Sequence, residues 1–180
     1  MPLIAVGAVL LGALAALLIL APWRPDVPTE TTATFPLQNS VSVTIRLPAG
    51  WTAVPESDEG APVVMIRAAA DERALSQVSD DLVSLGESGA GRPVHAIVLF
   101  ARRCAGPAPT VGAWRNRDRD DSSPHHTERW LFATSSVDGR DCLNMSGTDA
   151  ATDPTSAGST ARDLARRLIR EDRLTGTKTV

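Results

Sequence analysis

The longest apolar run of this chain is the feature that most restricts how the chain folds. Leu3–Ala21 contains no charged, hydroxyl or amide side chain. As a helix, 19 residues extend about 28 Å, which is close to the hydrocarbon thickness of a bilayer. The run therefore predicts a transmembrane helix within residues 1–22, with the bilayer as a partner through residues 3–21.

The flanks of the run favour a retained anchor over a cleaved signal peptide. A signal peptide has a basic start, a shorter apolar run and small residues before the cut. Here only Met1 and Pro2 precede the run, and Pro22 follows it directly. Residues 23–36 are rich in proline and threonine, and they predict an extended tether.

The orientation of the anchor rests on two opposing signals. Arg24 follows the run, and the positive-inside rule taken alone places it in the cytoplasm. Cys104 and Cys142 are too far apart for a CxxC motif, and outside the cytoplasm they predict one structural disulfide. Two buried free thiols are the alternative. We expect the domain that follows the tether to be extracytoplasmic at the cell membrane.

Residues 37–175 predict one α+β domain, with a mainly antiparallel sheet packed by two helices and a short tail at 176–180. Val41–Leu47 alternates apolar and polar residues, as a half-buried strand does. A further strand is predicted at Pro62–Arg67, and Val94–Ala101, which is apolar on both faces, predicts a central and fully covered strand. The predicted helices run from a cap at Asp71 to Leu85, with a stop at Gly86, and from Thr160, where Thr160 and Asp163 form a capping box.

Asp138-Gly139 predicts the two-residue turn of a β-hairpin. The register that follows pairs Phe132 with Met145 and Trp130 with Gly147. Before this hairpin, residues 105–127 predict a long polar loop. Within the loop, Trp114 stands beside Arg115 and Arg117, which makes these three residues candidates for contact with a partner. A lid folded over the core is the alternative for Trp114.

One stretch of the domain carries a family resemblance. The strand and turn Ser40–Thr52, which ends in a Pro-x-Gly-Trp turn, resembles the opening of domains in the PsbP/Mog1 group, including the LpqN-like exported actinobacterial proteins. The order of a later strand, a hairpin through Asp138-Gly139-Arg140 and a closing helix is also similar. The resemblance implies an α/β/α sandwich that serves as a binding or accessory module. The chain departs from the group because a plain anchor replaces the lipid-attachment cysteine.

No catalytic, cofactor-binding or metal-binding signature is present in the sequence. Gly86-Glu-Ser88-Gly-Ala90 fails the nucleophile-elbow pattern at its last residue and follows a helix. His125 and His126 lie near Asp120 and Asp121, but adjacent histidines make a poor preformed metal site. The net charge of −3 gives no basic footprint for nucleic acid.

The function expected from these observations is non-catalytic. The chain is predicted to be a binding or accessory module of the bacterial cell envelope, with an unknown envelope protein or small ligand as its partner. The first alternative is a hydrolase-like envelope enzyme with a dispersed site at His125 or His126. The second is a tethered interaction domain that faces the cytoplasm.

Overall fold

The fold is α+β and antiparallel in every strand pair that the structure describes. A computed structural model describes residues 30–88, 90–104, 114–120, 126–151 and 160–178. Within these ranges the chain forms nine strands and two α-helices, with a short 3-10 turn at Gln38–Ser40. In chain order they are β1 Thr31–Pro36, β2 Val41–Leu47, β3 Trp51–Asp58, β4 Ala61–Ala68, α1 Leu75–Ser88, β5 Val94–Arg103, β6 Trp114–Asp120, β7 His126–Ser136, β8 Asp141–Ala151, α2 Thr160–Arg170 and β9 Leu174–Lys178.

The strands form two sheets, and two layers of side chains cover the larger one. The small sheet has the order β1-β2-β9, and the large sheet has the order β3-β4-β5-β8-β7-β6. On one face of the large sheet, Ile97 and Leu99 of β5 pack with Val43 of β2 and Leu168 of α2. On the other face, Ala96 of β5 packs with Val78 and Leu85 of α1. Alternate residues of β5 thus belong to two different cores.

The predicted central elements are confirmed. β2 alternates buried and less buried residues along Val41–Leu47, and β5 lies inside the large sheet with both faces covered at its start. The hairpin register is also confirmed, because Phe132 pairs with Met145 and Trp130 with Gly147.

The turn of this hairpin is longer than the predicted two residues. β7 ends at Ser136 and β8 begins at Asp141, and the Val137 amide donates to the Asp141 carbonyl at 2.8 Å. A β-bulge in β7, between Ala133 and Ser135, places one extra residue in β7 relative to β8. The longer turn shifts the pairing of β7 with β8 in one direction, and the bulge shifts it back. The residues of β7 that precede the bulge therefore keep their predicted partners.

Several predicted boundaries are wrong. Thr31–Pro36, assigned to the tether, form β1 against β2, and β9 extends into the predicted tail. Trp114–Asp120, assigned to a polar loop, pair with β7 as strand β6. The strand β3 was not predicted at all. Helix α1 begins at Leu75 rather than after Asp71, and it continues past Gly86 to Ser88.

The predicted disulfide is present. Cys104 and Cys142 are bonded, with Cα atoms 5.1 Å apart. Cys104 follows β5 directly and Cys142 is the second residue of β8, so the bond joins the ends of two neighbouring strands. The described part of the chain contains no free cysteine.

The predicted anchor, Leu3–Ala21, lies outside the described residues. Among the residues that the structure does describe, no helix has both the length and the apolar character needed to cross a bilayer.

Candidate functional site

The candidate site is a cleft beside α1, on the face of the large sheet that this helix only partly covers. The cleft has a volume of about 220 Å³. It is lined by residues from four elements, namely Asp58, Leu75, Ser79, Val98, Phe100 and Ser146.

The register of the sheet explains how the floor of the cleft forms. Val98 of β5 pairs with Ser146 of β8, and two residues further on Phe100 pairs with Asn144. Helix α1 covers the start of β5, where Val94 and Ala96 are buried. Val98 and Phe100 lie beyond the helix and are only half-buried. An apolar strip of the sheet therefore stays accessible next to the first turns of α1.

A network centred on Arg73 holds α1 beside this strip. Although it is charged, the Arg73 side chain is only 6% exposed. It donates to the Asp71 carboxylate at 2.6 Å, to Asp81 of α1 at 2.7 Å and to the Pro93 carbonyl, just before β5, at 2.8 Å. The network thus ties the loop after β4 to α1 and to the start of β5. Asp71, predicted to cap the helix, acts here as a partner of Arg73.

The Arg73 network should make the domain sensitive to acid. Hydrogen bonds from Arg73 lower the pKa of Asp71 to about 2, and they also lower the pKa of Asp81. A carboxylate with a lowered pKa stabilises the fold above its unfolded pKa of about 4 and loses this effect as the pH falls towards its folded pKa. We expect Arg73→Met to reduce the free energy of unfolding by about 2 kcal/mol at neutral pH.

Chemical denaturation of the wild type and of Arg73→Met across this pH range measures the effect. The difference between the two proteins should shrink from about pH 4 to about pH 2, as Asp71 becomes protonated. Glu72→Gln is the matched control, because Glu72 is an exposed neighbour of Arg73 in sequence. A difference that does not change with pH would contradict the proposed role of Asp71.

The chemistry of the cleft combines an apolar floor with a polar rim. Leu75, Val98 and Phe100 are its apolar lining residues, while Asp58, Ser79 and Ser146 are polar, and the Ser79 hydroxyl donates to the Leu75 carbonyl at 3.0 Å. The guanidinium carbon of Arg102 lies 5.8 Å from the centre of the Phe100 ring, within cation–π distance. The cleft can therefore take an apolar group and place charges of both signs beside it.

A histidine–carboxylate pair lies elsewhere, and its geometry indicates a structural role. His95 Nδ1 lies 2.7 Å from Asp149 Oδ1, and the Asp149 side chain is fully buried. The same carboxylate accepts hydrogen bonds from the Ala161 amide at 2.9 Å and the Arg162 amide at 3.1 Å. Asp149 of β8 therefore satisfies the first amides of α2, a role that the sequence assigned to a capping box at Thr160 and Asp163.

Replacing the buried cap should be costly. We expect Asp149→Ala to lower the free energy of unfolding by about 2 kcal/mol, because it leaves buried amides of α2 without an acceptor. Asp163→Ala, which removes an exposed acid from the same helix, should cost less than about 0.5 kcal/mol. Urea denaturation of both variants measures the difference. Equal losses would contradict the assignment of Asp149 as the cap.

The residues predicted to contact a partner lie away from the cleft. Trp114, Arg115 and Arg117 belong to β6, the edge strand of the large sheet. Strand β7 separates β6 from β8, the nearest strand that lines the cleft. The backbone pairing places Trp114 opposite Phe132 and Arg117 opposite Trp130. The sequence did not indicate the cleft, because its lining residues are spread from Asp58 to Ser146 without a shared motif.

Among the described residues, no group of three histidine, cysteine or acidic side chains is arranged to hold a metal ion. His125 and Asp121 lie outside the described residues, so the alternative of a hydrolase-like site at His125 or His126 stays a prediction.

Comparisons with protein families, with curated proteins and with solved structures give no match to this chain.

Proposed function

We propose that this chain is a membrane-anchored exported domain that acts as a non-catalytic binding or accessory module of the cell envelope. In this proposal the cleft beside α1 receives one apolar side chain of a protein partner. The observation that carries the proposal is the half-buried apolar strip of Val98 and Phe100, open beside the first turns of α1.

The size of the cleft favours a protein partner over a small ligand. Pockets that enclose drug-sized ligands usually have volumes of about 300–1,000 Å³. The cleft, at about 220 Å³, is smaller than this range. A volume of this size suits a single anchoring side chain, and protein interfaces often concentrate their binding energy in such an anchor.

The polar rim supports specificity for such a partner. Asp58 lies at the end of β3 and Arg102 near the end of β5, and both side chains are exposed. Charged groups around an apolar anchor exclude wrong partners and speed association more than they add affinity. We expect the partner to carry a cation that faces Asp58 and an anion that faces Arg102.

Two features support the anchored, exported location in this proposal. The apolar run Leu3–Ala21 has the length and composition of a membrane-spanning helix. The Cys104–Cys142 disulfide is the kind of bond that persists outside the reducing cytoplasm. Membership of the PsbP/Mog1 group stays part of the proposal.

Protease treatment of intact spheroplasts tests the location. An extracytoplasmic domain should be cleaved without lysis, whereas a domain facing the cytoplasm should be cleaved only after the membrane is opened. Full protection in intact spheroplasts would contradict the export proposal.

Filling the cleft should release the partner. Ser79 borders the cleft on α1, and its neighbour Asp80 is exposed on the side of the helix away from the core. In mild membrane extracts separated on native gels, we expect the wild type and Asp80→Trp to migrate as a complex. We expect Ser79→Trp to lose at least about 90% of it, equivalent to more than about 1.4 kcal/mol of binding. Equal migration of both variants would contradict the assignment of the cleft.

A further inference from the structure

We propose that the end of the domain at which α2 stops faces the membrane, and that Arg166, Arg167 and Arg170 contact anionic lipid headgroups there. This inference rests on the anchor in the proposed function. It adds which surface of the domain meets the bilayer and which lipid chemistry that surface recognises.

The described part of the chain begins beside the end of α2. Glu30, the first described residue, accepts a hydrogen bond from Arg173 Nη1 at 2.7 Å, and Arg173 lies just after α2. Thr31 pairs with Leu47 at the end of β2, and Leu174 at the start of β9 pairs with Ile45. The entry of the chain and the end of α2 therefore lie at the same end of the small sheet.

Only a short length of chain connects this end of the domain to the predicted anchor. Ala21 closes the apolar run, and Glu30 is nine residues further along. Nine residues span at most about 30 Å when fully extended, and less in any bent path. The anchor thus keeps the carboxyl end of α2 close to the bilayer and leaves enough chain for direct contact.

The exposed side of α2 carries several arginines. The buried side of the helix consists of four apolar residues, Ala161, Leu164, Ala165 and Leu168. The opposite side carries Arg166, Arg167 and Arg170 at helical spacing, all of them exposed. Guanidinium groups suit this surface because they bind phosphate oxygens in a bidentate manner.

Nearby acids neutralise only part of this charge. Asp163 lies 3.8 Å from Arg166, and Glu171 lies 3.2 Å from Arg167. Within the described part of the chain, no acidic side chain lies within 4.0 Å of Arg170. Arg46 adds a further exposed cation at this end, where its backbone amide donates to the Arg173 carbonyl. With Arg173 included, the described residues at this end hold five arginines against four acids, Glu30, Asp163, Glu171 and Asp172, so this end has a net charge of +1.

The opposite end of the domain supplies internal controls. Lys178, at the far end of β9, donates to Asp141 at 2.6 Å, next to the β7–β8 turn. Arg103 and Arg140 are exposed close to this point. A lipid effect confined to the α2 end should leave both of these arginines unchanged.

Arginine modification by phenylglyoxal, read residue by residue by mass spectrometry, tests the inference. The full chain is reconstituted in vesicles of phosphatidylcholine alone or mixed with phosphatidylglycerol. We expect the anionic lipid to slow modification of Arg46, Arg166, Arg167 and Arg170 about fivefold, and to leave Arg103 and Arg140 unchanged. In the variant R166Q/R167Q/R170Q, lipid-dependent protection of Arg46 should disappear, whereas R103Q/R140Q should retain it.

The outcomes distinguish failure of the lipid contact at α2 from failure of the proposed membrane anchor. If the chain floats with both kinds of vesicle but shows no selective protection at α2, the lipid contact is wrong and the anchor stands. Protection of Arg46 that persists in R166Q/R167Q/R170Q also overturns the contact. If the chain floats with neither kind of vesicle, the anchor is wrong and the inference falls with it.

Discussion

Reduction of the Cys104–Cys142 disulfide should lower the free energy of unfolding by about 4 kcal/mol, the largest effect that we expect from a single covalent change. The bond closes a loop of 38 residues, and opening it gives the unfolded chain more conformational entropy. The bond joins the ends of β5 and β8, the two central strands of the large sheet, and the loop that it closes includes β6 and β7.

Urea denaturation with and without reductant measures this loss. The variant Cys104→Ser/Cys142→Ser should match the reduced wild type and should not respond to reductant, which separates loss of the bond from other effects of the reagent. An unchanged unfolding midpoint in the reduced wild type would contradict a stabilising role.

Gly147→Ala should lower the free energy of unfolding by about 3 kcal/mol, because Trp130 occupies the space that a side chain at this position needs. An added Cβ would lie 2.0 Å from the nearest atom of the Trp130 ring. Trp130 is buried in the core between the large sheet and α2, so its ring has little room to move. Glycine is thus required here by contact rather than by backbone conformation.

Thermal or urea denaturation of a double-mutant cycle tests this contact. Trp130→Leu is destabilising by itself, but it should remove most of the additional cost of Gly147→Ala. Ser146→Ala, at the neighbouring residue whose side chain lies on the opposite face, should have an effect within about 0.5 kcal/mol. Additive losses in the cycle would show that the predicted clash is not the cause.

The interior of the fold was predictable from the sequence, and its edges were not. The five strands that the sequence indicated are all interior strands of the two sheets, namely β2, β4, β5, β7 and β8. The four that it missed are the edge strands β1, β3, β6 and β9. Interior strands need apolar residues on buried faces, whereas edge strands tolerate proline and charge and so lack a clear pattern.

Two edge strands illustrate this difference. β3 carries Pro55, which lacks an amide donor and is typical of a turn or an edge strand rather than an interior strand. In β6, charged residues follow one another from Arg117 to Asp120, a pattern that resembles a solvated loop. Only pairing with β4 and β7, respectively, reveals the two strands.

The sequence also did not indicate the acceptor that binds the first amides of α2. The capping box at Thr160 and Asp163 is a local pattern, but Asp149, which caps α2, comes from a strand more than ten residues earlier. Asp71 has the residue type of a cap, yet Arg73 engages its carboxylate. The acceptor at the start of α2 is distant in sequence, whereas Arg73 lies only two residues from Asp71, so neither role follows from the residue type alone.

The sequence did not reveal the cleft either, because the cleft depends on how much of β5 is covered by α1. The sequence marked both Val98 and Phe100 as part of a fully buried strand. The structure leaves them half-buried, since α1 packs over the start of β5 and stops short of this strip. The position of α1 thus decides whether Val98 and Phe100 belong to the core or to the candidate site.

The central claim is that this cleft binds a protein partner, and site-specific photo-crosslinking in living cells tests it most directly. A benzophenone amino acid is placed at Ser79, which lines the cleft, or at the neighbouring exposed Asp80. The account predicts one crosslinked adduct of defined mass from position 79 and none from position 80. No adduct from position 79, or the same adducts from both positions, would contradict it.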